Sequence, residues 1–94
     1  MAKKPSITDP DNRFKEIVGD VLCEARNAAG MTQEELGGKS GVDRAYISEL
    51  EHGKNSVSIE VLFRLCSAMG VSCSKVVAAI EEKKPPLPPK RKQR

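Results

Sequence analysis

Apolar residues recur along the chain with the spacing of short amphipathic helices. The first stripe follows the i, i+3, i+4, i+7 rhythm of a helix with one buried face. Its members are Phe14, Ile17, Val18, Val21, Leu22 and Ala25. Asp9 or Asp11 can cap the start of this helix, Pro10 suits its first turn, and Gly30 ends it.

A second helix is predicted from its cap. Thr32 and Glu35 form a T-x-x-E capping box, in which each side chain can bind a backbone N–H that the helix leaves unpaired. Met31 and Leu36 flank that cap with the spacing of a hydrophobic staple. We therefore expect a helix over residues 33–39.

A glycine turn and a third helix follow. Gly41 can adopt the positive φ angle that a tight reversal requires. Asp43 can then cap a helix over residues 44–51, whose apolar residues Ile47 and Leu50 lie on one face. Helix, short turn and helix is the layout of a helix-turn-helix, which places its second helix in the DNA major groove.

Two further helices complete an all-α chain. Ser58 caps the fourth helix, which Gly70 ends, and Ser72 caps the fifth. Periodicity predicts the apolar faces as Ile59, Leu62, Leu65, Cys66 and Met69 in the fourth helix and Val76, Val77 and Ile80 in the fifth. We expect five short helices joined by connections of about 2–6 residues.

Composition agrees with one small helical domain. The chain has 94 residues, of which 38% are hydrophobic and 3% aromatic, so its core must be aliphatic. No apolar run approaches the ~20 residues of a membrane span, and no apolar stretch follows the basic N-terminus as in a signal peptide. A cytoplasmic protein without a membrane role is the expectation.

The net charge of +3 is unevenly distributed. Residues 21–80 carry six basic and seven acidic side chains, whereas residues 81–94 carry six basic and two acidic ones. Phosphate binding by the domain must therefore come from the placement of a few groups rather than from a broad basic face.

The chain divides into three parts. We predict a flexible N-terminal arm over residues 1–8, a folded domain over 9–83 and a disordered tail rich in proline, lysine and arginine over 84–94. The tail contains a P-x-x-P-x-R string, typical of SH3 ligands, but a basic arm touching phosphates is the simpler interpretation.

Metal, cofactor and catalytic chemistry are not predicted. Cys23, Cys66 and Cys73 are widely spaced, and His52 is the single histidine, so no zinc pattern is present. Cys66 falls on an apolar stripe and reads as a buried reduced thiol. We expect no cofactor and no enzymatic activity, because neither a nucleophile–base pair nor a phosphate loop is visible.

The ordered motifs resemble the phage-repressor class (Cro/C1, or XRE) of helix-turn-helix proteins from about Val21 to Ile80. The segments that carry the resemblance are Thr32-Gln33-Glu34-Glu35-Leu36, Gly41-Val42, Ile47 to Lys54, Ser58 to Leu62 and Leu65 to Val71. The resemblance implies a five-helix lambda-repressor-like fold that reads double-stranded DNA with helix 44–51 as a homodimer. It also implies a buried salt bridge between Arg26 and Glu51.

Four residues on the solvent face of the third helix are the candidates for reading bases. They are Arg44, Ala45, Ser48 and Glu49, and the resemblance places the first two residues after the cap, and the one four further on, at the base edges. Arg44 can donate twice to guanine, Glu49 can accept from cytosine N4, and Ala45 can touch a thymine methyl. The alternative is a merely solvated helix face.

Four other residues are candidates for contacts with the DNA backbone. Gln33 begins the second helix, where its side chain and the helix N-terminus can meet a phosphate. Tyr46, Lys54 and Asn55 flank the recognition helix. Partial burial against the scaffold is the alternative for Tyr46.

We interpret the chain as a DNA-binding transcriptional regulator, with a repressor as the first choice. A controller protein of a restriction–modification system and the antitoxin of a toxin pair are the alternative subtypes, the latter with a toxin as protein partner. The rival from another class is a protein-interaction module that retains the fold without binding DNA, which the nearly neutral domain favours.

Overall fold

A computed structural model describes residues 13–86, and this part of the chain is all α-helical. Its helices are α1 (Arg13–Ala28), α2 (Gln33–Ser40), α3 (Arg44–Glu51), α4 (Ile59–Met69) and α5 (Cys73–Glu82). The predicted caps at Asp9 to Asp11, the arm over 1–8 and most of the tail lie outside the described residues. The connection between α3 and α4 covers residues 52–58, as the predicted end of the third helix and the Ser58 cap imply.

The predicted caps of α2 to α5 are confirmed. At α2 the Glu35 N–H donates to Thr32 Oγ1 over 3.0 Å, and the Thr32 N–H donates to Glu35 Oε1 over 2.8 Å. Asp43 accepts from the Ala45 N–H over 2.8 Å at the start of α3. Side chains of Ser58 and Ser72 cap α4 and α5 in the same way. Helices α2 to α5 therefore each begin directly after the predicted capping residue.

The turn between α2 and α3 sets the angle of the pair. Gly41 has a φ of 76° and its N–H donates to the Gly37 carbonyl over 3.0 Å. The buried Ser40 hydroxyl accepts from the Val42 N–H over 3.1 Å, which satisfies the turn internally. A Cβ at Gly37 would lie 3.0 Å from the Val42 carbonyl oxygen, so a small residue there permits close approach of the turn.

The core is aliphatic and is shared by all five helices. It consists of Val18, Val21, Leu22, Leu36, Val42, Ile47, Leu50, Leu62, Leu65, Cys66, Met69, Val76 and Ile80. Cys66 is buried as predicted, and burial raises the pKa of its thiol to about 12, so the thiol is protonated at neutral pH. In the described residues no single helix is long and apolar enough to cross a membrane.

Two residues depart from the predicted apolar faces. Ile59 is 70% exposed and Val77 is 41% exposed, although periodicity assigned both to buried stripes. Ile59 is the first residue of α4, where the chain has only just left the long connection. Helical spacing selects the side of a helix that carries apolar residues, but it does not determine how far a neighbouring helix covers that side.

Helix α1 packs directly against the end of α3 at a glycine. A Cβ at Gly19 would clash with the Leu50 carbonyl oxygen and would lie 2.8 Å from the carbonyl oxygen of Glu51. The glycine that weakens α1 locally is therefore the residue that lets the two backbones touch. This contact holds α3 against the scaffold with its other side outward.

Candidate nucleic-acid interface

Helix α3 presents a polar face to solvent because its apolar residues are used on the opposite side. Ile47 and Leu50 are 1% and 2% exposed and anchor the helix in the core. Arg44, Ala45 and Glu49 are exposed on the other side, and Ser48 between them is half-buried. The structure thus brings the four base-reading candidates together on one accessible face.

A largely buried ion pair, whose Arg26 and Glu51 side chains are 12% and 5% exposed, fixes the last turn of α3 to α1 and α2. Arg26 Nε donates to Glu51 Oε2 over 2.7 Å, and Arg26 Nη2 donates to Glu51 Oε1 over 3.0 Å. Arg26 Nη1 also donates to the Met31 carbonyl over 2.8 Å, and Gln33 Nε2 donates to Glu51 Oε1 over 3.0 Å. The salt bridge implied by the resemblance is therefore present, and it connects three helices through one carboxylate.

The environment of Glu51 favours the charged carboxylate. Burial by itself raises the pKa of Glu51, but hydrogen bonds from Arg26 and Gln33 and the charge of Arg26 outweigh it, so the pKa lies below its ordinary value. The hydrogen bond to Glu51 and the charge of Glu51 raise the pKa of Arg26, against the lowering effect of burial. Both partners are charged at neutral pH, and the pair is a structural clamp.

The segment after α3 is also tied back to the helix. Asn55 Nδ2 donates to Glu49 Oε1 over 2.6 Å, and the Tyr46 hydroxyl donates to the Ser56 carbonyl over 3.0 Å. The backbone N–H of Lys54 donates to the Glu49 carbonyl over 2.9 Å. These bonds hold four residues predicted for DNA contact close together. Tyr46 is half-buried, which agrees with the alternative of partial burial against the scaffold.

An open depression joins the start of α2 to the start of α3. It has a volume of about 460 Å³ and is lined by Arg26, Asn27, Gly30, Met31, Thr32, Gln33, Glu34 and Arg44. The first backbone N–H groups of α2 have no acceptor within the helix and carry its positive dipole end. Gln33 and Arg44, predicted separately, border this single surface.

Gln33 has a second role that the sequence did not indicate. Its amide nitrogen binds Glu51, a residue 18 positions away in the chain. The pairing of Asn55 with Glu49 was equally unpredicted, since a six-residue separation across a helix end has no recognised pattern. His52 caps α3 with its ring exposed, and its Nδ1 lies 2.7 Å from the Ser48 carbonyl oxygen.

Comparison with known proteins identifies the architecture around this face. A model of the helix-turn-helix family matches residues 24–76, which contain α2, the turn and α3 in full. The chain belongs to this family. It is 34% identical to y4dJ of Sinorhizobium fredii, an uncharacterized HTH-type transcriptional regulator, in an alignment that covers 73% of this chain and 90% of y4dJ.

Two solved structures of regulators are similar to this helix-turn-helix protein. The clp gene regulator ClgR from C. glutamicum superimposes with a TM-score of 0.71 at 35% identity, and the match covers 76% of this chain and 92% of the ClgR chain. The restriction–modification controller protein C.AhdI from Aeromonas hydrophila gives a TM-score of 0.64 at 32% identity over 66% of this chain and 94% of that one. The five-helix, all-α fold is therefore that of known regulators.

Proposed function

We propose that this helix-turn-helix protein is a sequence-specific, double-stranded DNA-binding transcriptional regulator that acts as a homodimer in the cytoplasm. The observation that carries the proposal is the exposed face of α3, which is oriented by a core contact on one side and by the Arg26–Glu51 clamp at its end. A helix held in this way can enter the major groove without reorganising.

Base reading falls to the exposed face. Arg44 is exposed at the first turn of α3, where its guanidinium can donate twice to O6 and N7 of guanine. Ala45 can touch a thymine methyl, and Ser48 can bond to any base edge in reach. Asn55 holds one oxygen of Glu49, which leaves the other to accept from cytosine N4. A carboxylate at this position disfavours sites that lack such a donor.

Contacts with the DNA backbone surround that face. The start of α2 offers its N–H groups to a phosphate, and Gln33 there keeps its amide oxygen free of the bond that its nitrogen makes to Glu51. Lys54 is exposed just beyond α3 and supplies a positive charge. Tyr46 and Asn55 border the same edge through the bonds that fix the segment after α3.

Two subtypes of transcriptional regulator are candidates for this chain. Resemblance to phage repressors favours a repressor. A restriction–modification controller role is the second candidate, because the controller protein C.AhdI has a similar structure, 94% of which is covered by this chain. In either case two copies related by a two-fold axis would place two α3 helices about one helical turn of DNA apart.

Substitution of Arg44 by alanine tests the base-reading role. A preferred duplex is first selected from a random library with the full chain, and binding to it is then compared with binding to random duplex by fluorescence anisotropy. We expect Arg44→Ala to weaken binding to the selected duplex by about 1–3 kcal/mol and to change random-duplex binding little.

The matched control is Lys75→Ala, which removes the same charge from the exposed surface of α5, away from the helix-turn-helix. It should leave the preference between the two duplexes unchanged. Equal losses on both duplexes for Arg44→Ala would make Arg44 a phosphate contact instead. If the wild-type chain binds no duplex even at low salt, the protein-interaction module becomes the better function.

A further inference from the structure

The surface of α4 carries the two most exposed large apolar side chains in the described part of the molecule. Ile59 is 70% exposed and Phe63 is 59% exposed. They are four residues apart on one helix and so lie on the same face, one turn above the other. Two adjoining apolar side chains of this exposure form the main apolar patch of the described surface, and the largest apolar patch of a soluble domain is often functional.

We propose that this α4 surface, Ile59 and Phe63, is where a second copy of the chain docks, with the two α4 helices antiparallel across a two-fold axis. The proposal deepens the homodimer of the proposed function and rests on it. A two-fold interface brings the same patch of both copies together. An axis crossing α4 between Val61 and Leu62 places Ile59 of one copy close to Phe63 of the other.

Charges beside the apolar pair fit a second copy better than a partner of a single charge sign. Glu60 and Arg64 lie one turn apart on the adjoining stripe of α4, and Arg64 Nη2 is 3.1 Å from Glu60 Oε2. In an antiparallel two-fold pair these stripes meet on the same side. Glu60 of each copy then lies near Arg64 of the other, so the surface is complementary to itself.

The position of this surface also suits control over DNA spacing. Ile59 begins α4 directly after the segment that is tied to α3 by the Tyr46–Ser56 and Asn55–Glu49 hydrogen bonds. A copy that docks on Ile59 therefore contacts a residue next to the segment that is hydrogen-bonded to the recognition helix α3. The docking geometry would set the separation of the two α3 helices, which a pair of half-sites requires.

Glutamate substitutions on α4 provide the first test. Sedimentation of the full chain over a concentration series gives the dimer dissociation constant. We expect Phe63→Glu, and independently Ile59→Glu, to raise that constant by about 100-fold or more, because each change occurs twice in a two-fold interface. Both side chains are exposed in the single chain, so at concentrations where wild type is also monomeric the thermal unfolding midpoint should stay close to wild type. Ala29→Glu, which adds the same charge at an exposed position after α1, should leave the constant unchanged.

A charge exchange tests the antiparallel arrangement itself. Glu60→Arg alone places four positive side chains at the interface, and Arg64→Glu alone places four negative ones, so each variant should dimerise less well than wild type. An equimolar mixture of the two variants should form a heterodimer, because each arginine then faces a glutamate of the other copy. Native mass spectrometry distinguishes the heterodimer from either homodimer.

The proposed docking surface would be overturned if Phe63→Glu and Ile59→Glu kept the dimer dissociation constant of wild type, or if the mixture showed no preference for the heterodimer. It would also be overturned if the wild-type chain stayed monomeric both free and on its selected duplex. If the α4 variants remain dimeric and bind that duplex, the docking surface is wrong and the proposed function stands. If wild type dimerises through α4 but binds no duplex, the reverse holds.

Discussion

Glu51 connects three helices through a single side chain. Its two oxygens accept bonds from Arg26 in α1 and from Gln33 in α2, while its own helix carries the proposed reading face. The side chains of Arg26 and Glu51 are 12% and 5% exposed. At this depth, removal of one charged partner leaves the other without a counter-ion, which is far more costly than the loss of a surface pair.

Substitution of Glu51 by glutamine should therefore reduce the free energy of unfolding by about 3–5 kcal/mol, measured by urea denaturation. The control is Glu24→Gln, which breaks an ion pair whose side chains, Lys83 and Glu24, are 39% and 68% exposed. That change should cost less than about 1 kcal/mol. Similar losses in the two variants would show that the clamp acts as an ordinary surface pair.

The same variant should alter the dependence of stability on pH. The pKa of Glu51 is lowered in the folded chain, so its contribution is complete above the unfolded value of about 4.3 and is lost as the pH falls through the folded value. Wild type should consequently lose stability more steeply than Glu51→Gln as the pH falls below the unfolded value. Glu35 also has a lowered pKa, through its bonds to Thr32, but it contributes equally to both proteins.

At the scale of the helices, Gly19 and Gly38 both lower helix propensity, but only Gly19 is closely packed against another helix. Glycine inside a helix costs about 1 kcal/mol relative to alanine. A Cβ at Gly38 meets nothing within 4 Å, whereas a Cβ at Gly19 would clash with the Leu50 carbonyl and lie 2.8 Å from that of Glu51. We expect Gly38→Ala to stabilise the fold by about 0.5–1 kcal/mol and Gly19→Ala to destabilise it by about 1–3 kcal/mol.

Thermal or urea unfolding of the two alanine variants checks this pair directly. Stabilisation by both substitutions would mean that α1 and α3 can separate without loss, contrary to the close backbone contact. Destabilisation by Gly38→Ala would point to a contact at that position other than those described here.

Helix starts were predictable because their signals are local. The Thr32–Glu35 box and the Asp43, Ser58 and Ser72 caps each act within three residues of the chain, and the structure confirms them. The four α3 residues also share one face as expected, since helical spacing alone decides it.

Contacts between distant residues were not predictable from local patterns. Gln33 reads locally as a helix-start residue facing DNA, yet its nitrogen binds Glu51 in another helix. Ile59 and Val77 fit a buried stripe, yet both are exposed, because coverage depends on the packing of other helices. Gly19 shows the same limit, since its partner backbone lies at the end of α3. The contacts of the eight proposed DNA-binding residues with bases and phosphates stay predictions.

At the scale of the whole molecule, charge and sequence reading are separated along the chain. Residues 21–80 are nearly neutral, with six basic and seven acidic side chains, and include the α3 face. Residues 84–94 carry five basic side chains and no acidic one. Affinity for DNA in general should therefore depend on the tail, while preference among duplexes depends on α3.

Truncation after Lys83 tests this separation. Lys83 is retained because its Nζ lies 3.6 Å from Glu24 Oε2 and its backbone N–H donates to the carbonyl groups at the end of α5. Each phosphate that a protein neutralises adds about 0.9 to the slope of log affinity against log salt. The truncated chain should show a flatter slope and weaker random-duplex binding, with an unchanged unfolding midpoint and an unchanged order of preference among duplexes. A full-length variant with the five tail basic residues replaced by glutamine should behave like the truncation, because charge rather than length is the cause. An unchanged slope in both variants would show that the tail does not contact DNA, and the P-x-x-P-x-R string would then make an SH3-type partner its better explanation.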